Sequence, residues 1–89
     1  NEVRKNIDNV DERLGKLIAE RESYVREALR FKITKKQIID RKRISIVLKR
    51  IKKLSKKYKV ESVITQRIWK LMIKNFIILE NKLFKNPKK

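Results

Sequence analysis

The chain has 89 residues, with 27 Lys or Arg against 10 Asp or Glu and a formal net charge of +17 at pH 7. It contains no cysteine and no histidine, which excludes disulfides, thiolate or imidazole metal sites and histidine acid–base catalysis. So short a chain can form one small domain without a large core of its own, so we expect oligomerisation. It carries neither an apolar run of the roughly 20 residues that a membrane span needs nor the apolar core of a signal peptide, which predicts a cytoplasmic protein.

An apolar stripe at alternating steps of three and four residues predicts a long first helix, from about Glu2 to Phe31 or Lys32. Its members are Val3, Ile7, Val10, Leu14, Leu17, Arg21, Tyr24, Ala28 and Phe31. Arg21 is the exception in this stripe, because burying a guanidinium without a partner costs several kcal/mol. We therefore expect Arg21 to face a carboxylate or a ligand cavity.

Two further helices are predicted after an irregular segment at Ile33 to Ile39, where the helical period is lost. Asp40 is a plausible N-cap for a second helix that fades at Lys59, and Ser62 can cap a third. Pro87 and the lysines around it should end that helix. The predicted fold is all-α with three helices per chain, comprising a helical domain at 1–85 and a basic C-terminal tail at 86–89.

The length of the first helix indicates a dimer. A helix of about 30 residues is roughly 45 Å long, more than a compact domain of this size can cover. A second copy running antiparallel would cover its stripe, which predicts an interlocked six-helix homodimer. Coiled-coil association without any binding site is the alternative.

The basic residues of the first helix have a geometry that suits a small anion. Arg21 and Lys32 are separated by about 20° around the helix and roughly 16 Å along it, so both point the same way. Arg4 is about 25 Å from Arg21 along the same axis and cannot join them on one chain. In an antiparallel pair, Arg4 of the second copy could complete the site.

The positive charge is concentrated after the first helix. Residues 1–32 hold eight Lys or Arg against seven Asp or Glu, whereas Arg41 to Lys59 holds ten basic residues and no acid. Most of these lysines fall between stripe positions, where they form a solvated face, and a Lys-rich and Ile-rich proteome is sufficient to explain them. Nucleic-acid binding is less favoured, because no helix-turn-helix glycine turn, zinc finger or aromatic stacking platform accompanies the charge.

Spaced residues along most of the chain resemble a known family. The pattern is Arg4-x-x-Ile7-Asp8-x-x-Asp11, Leu17-Ile18-x-x-Arg21, Phe31-Lys32 and Asp40-x-x-Arg43. It is similar to that of the all-helical (AroQ-class) chorismate mutases and of their relatives, the isochorismate-pyruvate lyases. The stretch from Tyr24 to Lys32 and the short spacing from Lys32 to Arg43 look most like the lyases.

This resemblance implies an interlocked homodimer with two pockets, a small dicarboxylate substrate, no cofactor and no metal. Arg21, Arg43 and the partner's Arg4 match positions that bind the substrate carboxylates. Lys32 matches the lysine that hydrogen-bonds a carboxylate and the ether oxygen that leaves. Such pericyclic chemistry needs a held conformer and fixed positive charge, which arginine and lysine supply. Asp40 is either a helix cap or a contact to the substrate hydroxyl.

Two positions depart from the mutase pattern. Ile44 stands where the mutases usually carry a glutamate and the lyases an aliphatic residue. Glu80 stands where bacterial members commonly carry a glutamine that donates to the ether oxygen, so we expect Glu80 to be protonated or neutralised by Lys32. The predicted function is conversion of chorismate to prephenate, with Lys32, Glu80 and Arg21 catalytic. The alternatives are isochorismate-pyruvate lyase activity and a non-enzymatic basic helical dimer that binds polyanions.

Overall fold

A computed structural model describes residues 1–85, so the tail predicted at 86–89 lies outside the described residues. Helices are the only regular secondary structure in that range. They are α1 at Glu2–Leu29, a 3-10 helix at Lys35–Ile38, α2 at Arg41–Lys57 and α3 at Ser62–Leu83. The prediction of an all-α chain with three main helices is confirmed. The chain divides into two compact units, the first being Asn1–Phe31 and the second beginning at Lys32.

The first unit consists of α1 and its two ends. The Asn1 side chain accepts a hydrogen bond from the Arg4 backbone N–H at 2.9 Å, which caps the first turn. Glu2 in the first turn and Arg26 in the last have the charges that the helix dipole favours at each end. No residue of α1 is buried, and its apolar stripe is exposed in the single chain, with Leu17 at 61% and Tyr24 at 63%.

The helix α1 ends earlier than the sequence predicts. Its last helical residue is Leu29, and not Phe31 or Lys32. The backbone N–H groups of Arg30 and Phe31 donate to carbonyls three residues earlier, those of Glu27 and Ala28, at 3.2 Å each. These bonds tighten the final turn. Phe31 is 81% exposed, so no packing contact extends the helix through it.

The second unit is built around the packing of α2 on α3, with the 3-10 helix also contacting α3. Its buried apolar residues are Ile38 and Ile51, and its buried polar residues are Ser55 and Glu80. The Ser55 hydroxyl donates to the Ile51 carbonyl at 2.8 Å and meets the Thr65 hydroxyl of α3. Because these polar groups are paired, their burial carries no penalty from unmatched hydrogen bonds.

The N-terminus of α2 has its predicted cap, whereas that of α3 does not. Asp40 is the N-cap of α2, as predicted, and its carboxylate accepts from the Arg43 N–H at 2.9 Å. Ser62 was expected to cap α3 but is its first helical residue, and Glu61 occupies the cap position without a side-chain cap bond. The Ser62 carbonyl instead accepts from the Thr65 hydroxyl at 3.1 Å.

Within residues 1–85, no helix combines the length and apolar character needed to cross a membrane.

Candidate active site

An ion pair between Lys32 and Glu80 is the centre of the candidate site in the second unit. Lys32 Nζ donates to Glu80 Oε2 at 2.7 Å, across 48 residues of sequence. The Lys32 side chain is 23% exposed and that of Glu80 is 9% exposed, so the pair is largely removed from water. Glu80 is thus in contact with Lys32, which is the arrangement required by one of the two states expected for it.

The segment after Lys32 is held in place by two neighbouring side chains. The Gln37 amide oxygen accepts from the backbone N–H groups of Ile33 and Thr34. Ile38, only 3% exposed, belongs to the short 3-10 helix that packs on α3. These contacts order the backbone beside Lys32 and so bring its side chain within reach of α3. Neither Gln37 nor Ile38 was predicted to contribute to the site, although Thr34-x-x-Gln37 has the spacing of a capping box.

Asp40 and Arg43 lie on the first turn of α2. The Asp40 carboxylate is used as a helix cap, since it accepts the Arg43 backbone N–H. The Arg43 side chain is exposed and forms no hydrogen bond or ion pair with another residue in the range 1–85. Its guanidinium is therefore available to a carboxylate, for which it has the planar bidentate geometry.

Arg4 and Arg21 both belong to α1, in the first unit. Arg4 lies in the first turn and is exposed, whereas Arg21 lies in the second half of the helix and is half-buried. Each is therefore carried on a rigid helix and not on a loop, which favours a fixed direction for its side chain.

A separate shallow groove of about 550 Å³ runs along α2 and reaches Gln66 of α3. Its floor is apolar, and its rim carries three cations, Arg41, Lys49 and Lys52. The Gln66 side chain donates to the Leu48 carbonyl at 3.0 Å and so closes one end. No predicted site residue lines this groove, so it is distinct from the Lys32–Glu80 pair.

The amino-acid sequence from residue 3 to residue 81 matches the family model of the type II chorismate mutases. The chain belongs to the chorismate mutase type II family. The match includes Arg4, Arg21, Lys32, Arg43 and Glu80, because all five lie inside the aligned range. No curated protein and no solved structure matched the chain in the corresponding searches. Membership of this family supports a chorismate mutase-type activity on a small-molecule substrate.

The second unit has two cations that suit chorismate mutase chemistry. Lys32 contacts a carboxylate, and Arg43 has an exposed guanidinium. Lys32 can stabilise negative charge that develops on an oxygen, because an ammonium is a compact donor with three hydrogens. The Glu80 carboxylate already accepts one hydrogen bond from that ammonium. A site with a neutral residue in place of Glu80 would lack this ion pair, so the pair distinguishes the present site from such a site.

Proposed function

We propose that the protein converts chorismate to prephenate, acting as a dimeric enzyme without a cofactor. The family match over residues 3–81 carries this proposal. In the rearrangement, a carbon–carbon bond forms while the ether carbon–oxygen bond breaks, and no proton or electron is exchanged with the protein. The enzyme needs only to hold the dicarboxylate in its reactive conformer and to stabilise charge on the ether oxygen.

The proposed roles are those that the resemblance to chorismate mutases implies. Arg21, Arg43 and Arg4 bind the two substrate carboxylates, and Lys32 turns from Glu80 to the ether oxygen and a neighbouring carboxylate. Glu80 lies beside the same oxygen, so the charge of Lys32 must offset that of Glu80 there. Asp40 keeps its cap on α2 and can accept the substrate hydroxyl through its second carboxylate oxygen, because only Oδ1 is used by Arg43.

The second candidate is isochorismate-pyruvate lyase activity, giving salicylate and pyruvate. One observation favours it: Ile44, which follows Arg43, is half-buried and aliphatic and cannot accept a hydroxyl as a glutamate would. The same cations serve this elimination, since it also breaks an ether bond in a dicarboxylate. The two activities differ in substrate and therefore in one direct assay.

The proposed assembly is a homodimer in which the partner supplies Arg4. The support is the apolar stripe of α1, which remains exposed along its length in one chain, from Val3 at 66% to Leu17 at 61%. Such a surface on a helix of 28 residues is typical of an association face. An antiparallel second copy covers it by packing stripe against stripe.

The first experiment gives purified protein chorismate and isochorismate separately between about pH 5 and 8 and identifies the products. Prephenate supports the first candidate, and salicylate with pyruvate supports the second. If neither substrate is consumed, the proposed activity is wrong. Arg21→Ala should lower activity by about 100-fold or more, whereas Arg13→Ala, which removes the same charge from an exposed position of α1, should change it little.

A mixing experiment tests whether Arg4 acts across the interface. Arg4→Ala and Arg21→Ala are each expected to be inactive as homodimers. If the partner supplies Arg4, the mixed dimer has one intact site and one site that lacks both arginines. After unfolding and refolding an equal mixture, about one quarter of wild-type activity should return. One variant is isotopically labelled, because the two unlabelled chains have the same mass. No recovery, in mixed dimers shown by mass to have formed, would assign Arg4 to its own subunit or to no role.

A further inference from the structure

The outer face of α2 is a dense array of unpaired cations. Ten Lys or Arg occur between Arg41 and Lys59 without an acid, and all ten are exposed. Among residues 1–85, none of these ten side chains forms an ion pair with an acidic residue. Because no acid in that range neutralises these charges, the array produces a strong local positive potential.

Seven of these cations form one continuous face, which we call the α2 cationic face: Lys42, Lys49, Arg50, Lys52, Lys53, Lys56 and Lys57. At 100° per residue they cover about half of the helix circumference, and Lys42 and Lys57 are about 22 Å apart along the axis. The buried residues Ile51 and Ser55 lie on the opposite side, which packs on α3. The cations therefore project outwards from a helix that is fixed from behind.

We propose that the α2 cationic face binds the phosphate backbone of double-stranded DNA without sequence preference. An α-helix with its side chains is about 10–12 Å wide and fits the major groove of B-form DNA, which is about 12 Å wide. With the helix in the groove, Lys52 and Lys56 on one flank and Arg50 and Lys57 on the other reach the two phosphate strands. Flexible lysines suit such contacts, which are charge-based and undirected.

Other polyanionic partners fit this face less well. A protein partner needs apolar or aromatic anchors, and lysine is depleted in such interfaces, whereas Ile46 is the one large apolar residue of this face. A membrane-surface helix needs a free apolar side, but that side of α2 packs on α3. Single strands are bound by aromatic platforms, and the nearby Tyr58 ring already has Lys57 Nζ 5.3 Å from its centroid.

Double-stranded RNA presents the same phosphates in a different shape. Its A-form major groove is deep and narrow and does not admit a helix, so we assign this face to DNA. None of the seven cations is assigned a role in the proposed catalytic site. The DNA-binding function therefore goes beyond the proposed enzyme activity and can fail or succeed independently of it.

The test measures binding of the whole chain to a 20-base-pair DNA duplex of mixed sequence, by fluorescence anisotropy at several salt concentrations. The logarithm of the binding constant should fall linearly with that of the salt concentration, by about 0.9 for each phosphate contacted. The variant Lys52→Gln/Lys56→Gln/Lys57→Gln, which removes three of the four flanking cations, should lower this slope by roughly three. It should keep its helical circular dichroism and its activity towards chorismate or isochorismate.

The matched control is Lys70→Gln/Lys74→Gln/Lys82→Gln, which removes the same charge from exposed positions of α3. Its salt slope should equal that of wild type. Equal weakening by both triple variants would show that net charge alone attracts DNA, and the proposed face would be wrong. The proposal is also overturned if wild type binds no duplex at about 50 mM salt, or binds double-stranded RNA or anionic phospholipid vesicles more tightly than DNA.

Discussion

Replacement of Glu80 by glutamine is expected to make the protein less stable and more active. The substitution keeps the shape of the side chain and an oxygen that can accept from Lys32, but it removes the negative charge. In the wild type this charge lies 2.7 Å from Lys32 Nζ. The same interaction stabilises the unliganded chain and occupies the ammonium that the substrate requires, so the two effects should have opposite signs.

The size of the stability effect follows from the geometry of the pair. Lys32 stays charged in the variant and keeps a neutral acceptor, so only the attraction between the two charges is lost. We expect a cost of about 1–2 kcal/mol, between the value of about 0–1 kcal/mol for an exposed ion pair and that of a broken buried pair. The larger cost of about 3–5 kcal/mol for a broken buried pair does not apply. Lys32 keeps an acceptor, and its side chain is 23% exposed to water.

The activity effect should have the opposite sign. Glutamine holds Lys32 less tightly and can donate its own N–H to the ether oxygen, whereas the negative charge of Glu80 repels that oxygen. A gain of about 1.4 kcal/mol in transition-state stabilisation raises kcat/KM about tenfold.

Urea unfolding followed by circular dichroism, together with the rate of substrate consumption, measures both effects. Glu22→Gln is the matched control, because Glu22 pairs with Arg26 at 3.1 Å on the exposed surface of α1, with side chains 40% and 49% exposed. It should change stability by less than about 0.5 kcal/mol. If Glu80→Gln lowers activity, the competition between Glu80 and substrate for Lys32 is refuted.

Three further substitutions test the local structure, each by urea unfolding. Gly15→Ala should stabilise the protein by about 1 kcal/mol, because Gly15 lies in the middle of α1 and an added Cβ meets no atom within 4 Å. Asp40→Ala should cost about 1 kcal/mol through loss of the α2 cap, whereas Asp40→Asn should keep it. Lys59 has a φ of 56°, so Lys59→Gly should gain about 0.5–1 kcal/mol by relieving the left-handed conformation.

Each of these substitutions has an informative opposite result. A loss of stability in Gly15→Ala would mean that this side of α1 is packed against another chain. An inactive but stable Asp40→Asn protein would show that the carboxylate acts on substrate as well as on the helix. For Lys59, the control is Lys56→Gly, inside α2, which should cost about 1 kcal/mol. If Lys59→Gly and Lys56→Gly change the free energy of unfolding equally, the backbone of Lys59 is not strained.

The sequence predicts those parts of the fold that repeat. Stripes at helical spacing identify α1, α2 and α3, and Asp40 is recognisable as a cap because it precedes such a stripe. The 3-10 helix at Lys35–Ile38 is too short for any period, so the burial of Ile38 among polar neighbours was not foreseen. Ser62 was chosen as a cap for its side-chain type, but the backbone of Glu61 leaves the helix one residue earlier.

The geometry of the candidate site is less predictable from the sequence than the helices are. Lys32 and Glu80 are 48 residues apart, and no local pattern gives the distance between them. The resemblance to chorismate mutases led us to expect contact between Lys32 and Glu80 as one of two possible arrangements. The hydrogen bonds of Gln37 and the packing of Ile38 hold the backbone next to Lys32, which supports this contact. The roles of Arg4 and Arg21 stay predictions, because they depend on a second copy of the chain.

The short connection between α2 and α3 has a consequence for the order of folding. Four residues separate Lys57 from Ser62, and the Val60 N–H closes the end of α2 on the Ser55 carbonyl at 2.9 Å. Contacts that are this local in sequence form fast, because little chain entropy is lost in closing the loop. We therefore expect α2 and α3 to pair in a rapid step that does not depend on protein concentration. Burial of the α1 stripe should follow in a slower, second-order step, which stopped-flow refolding at two concentrations would separate.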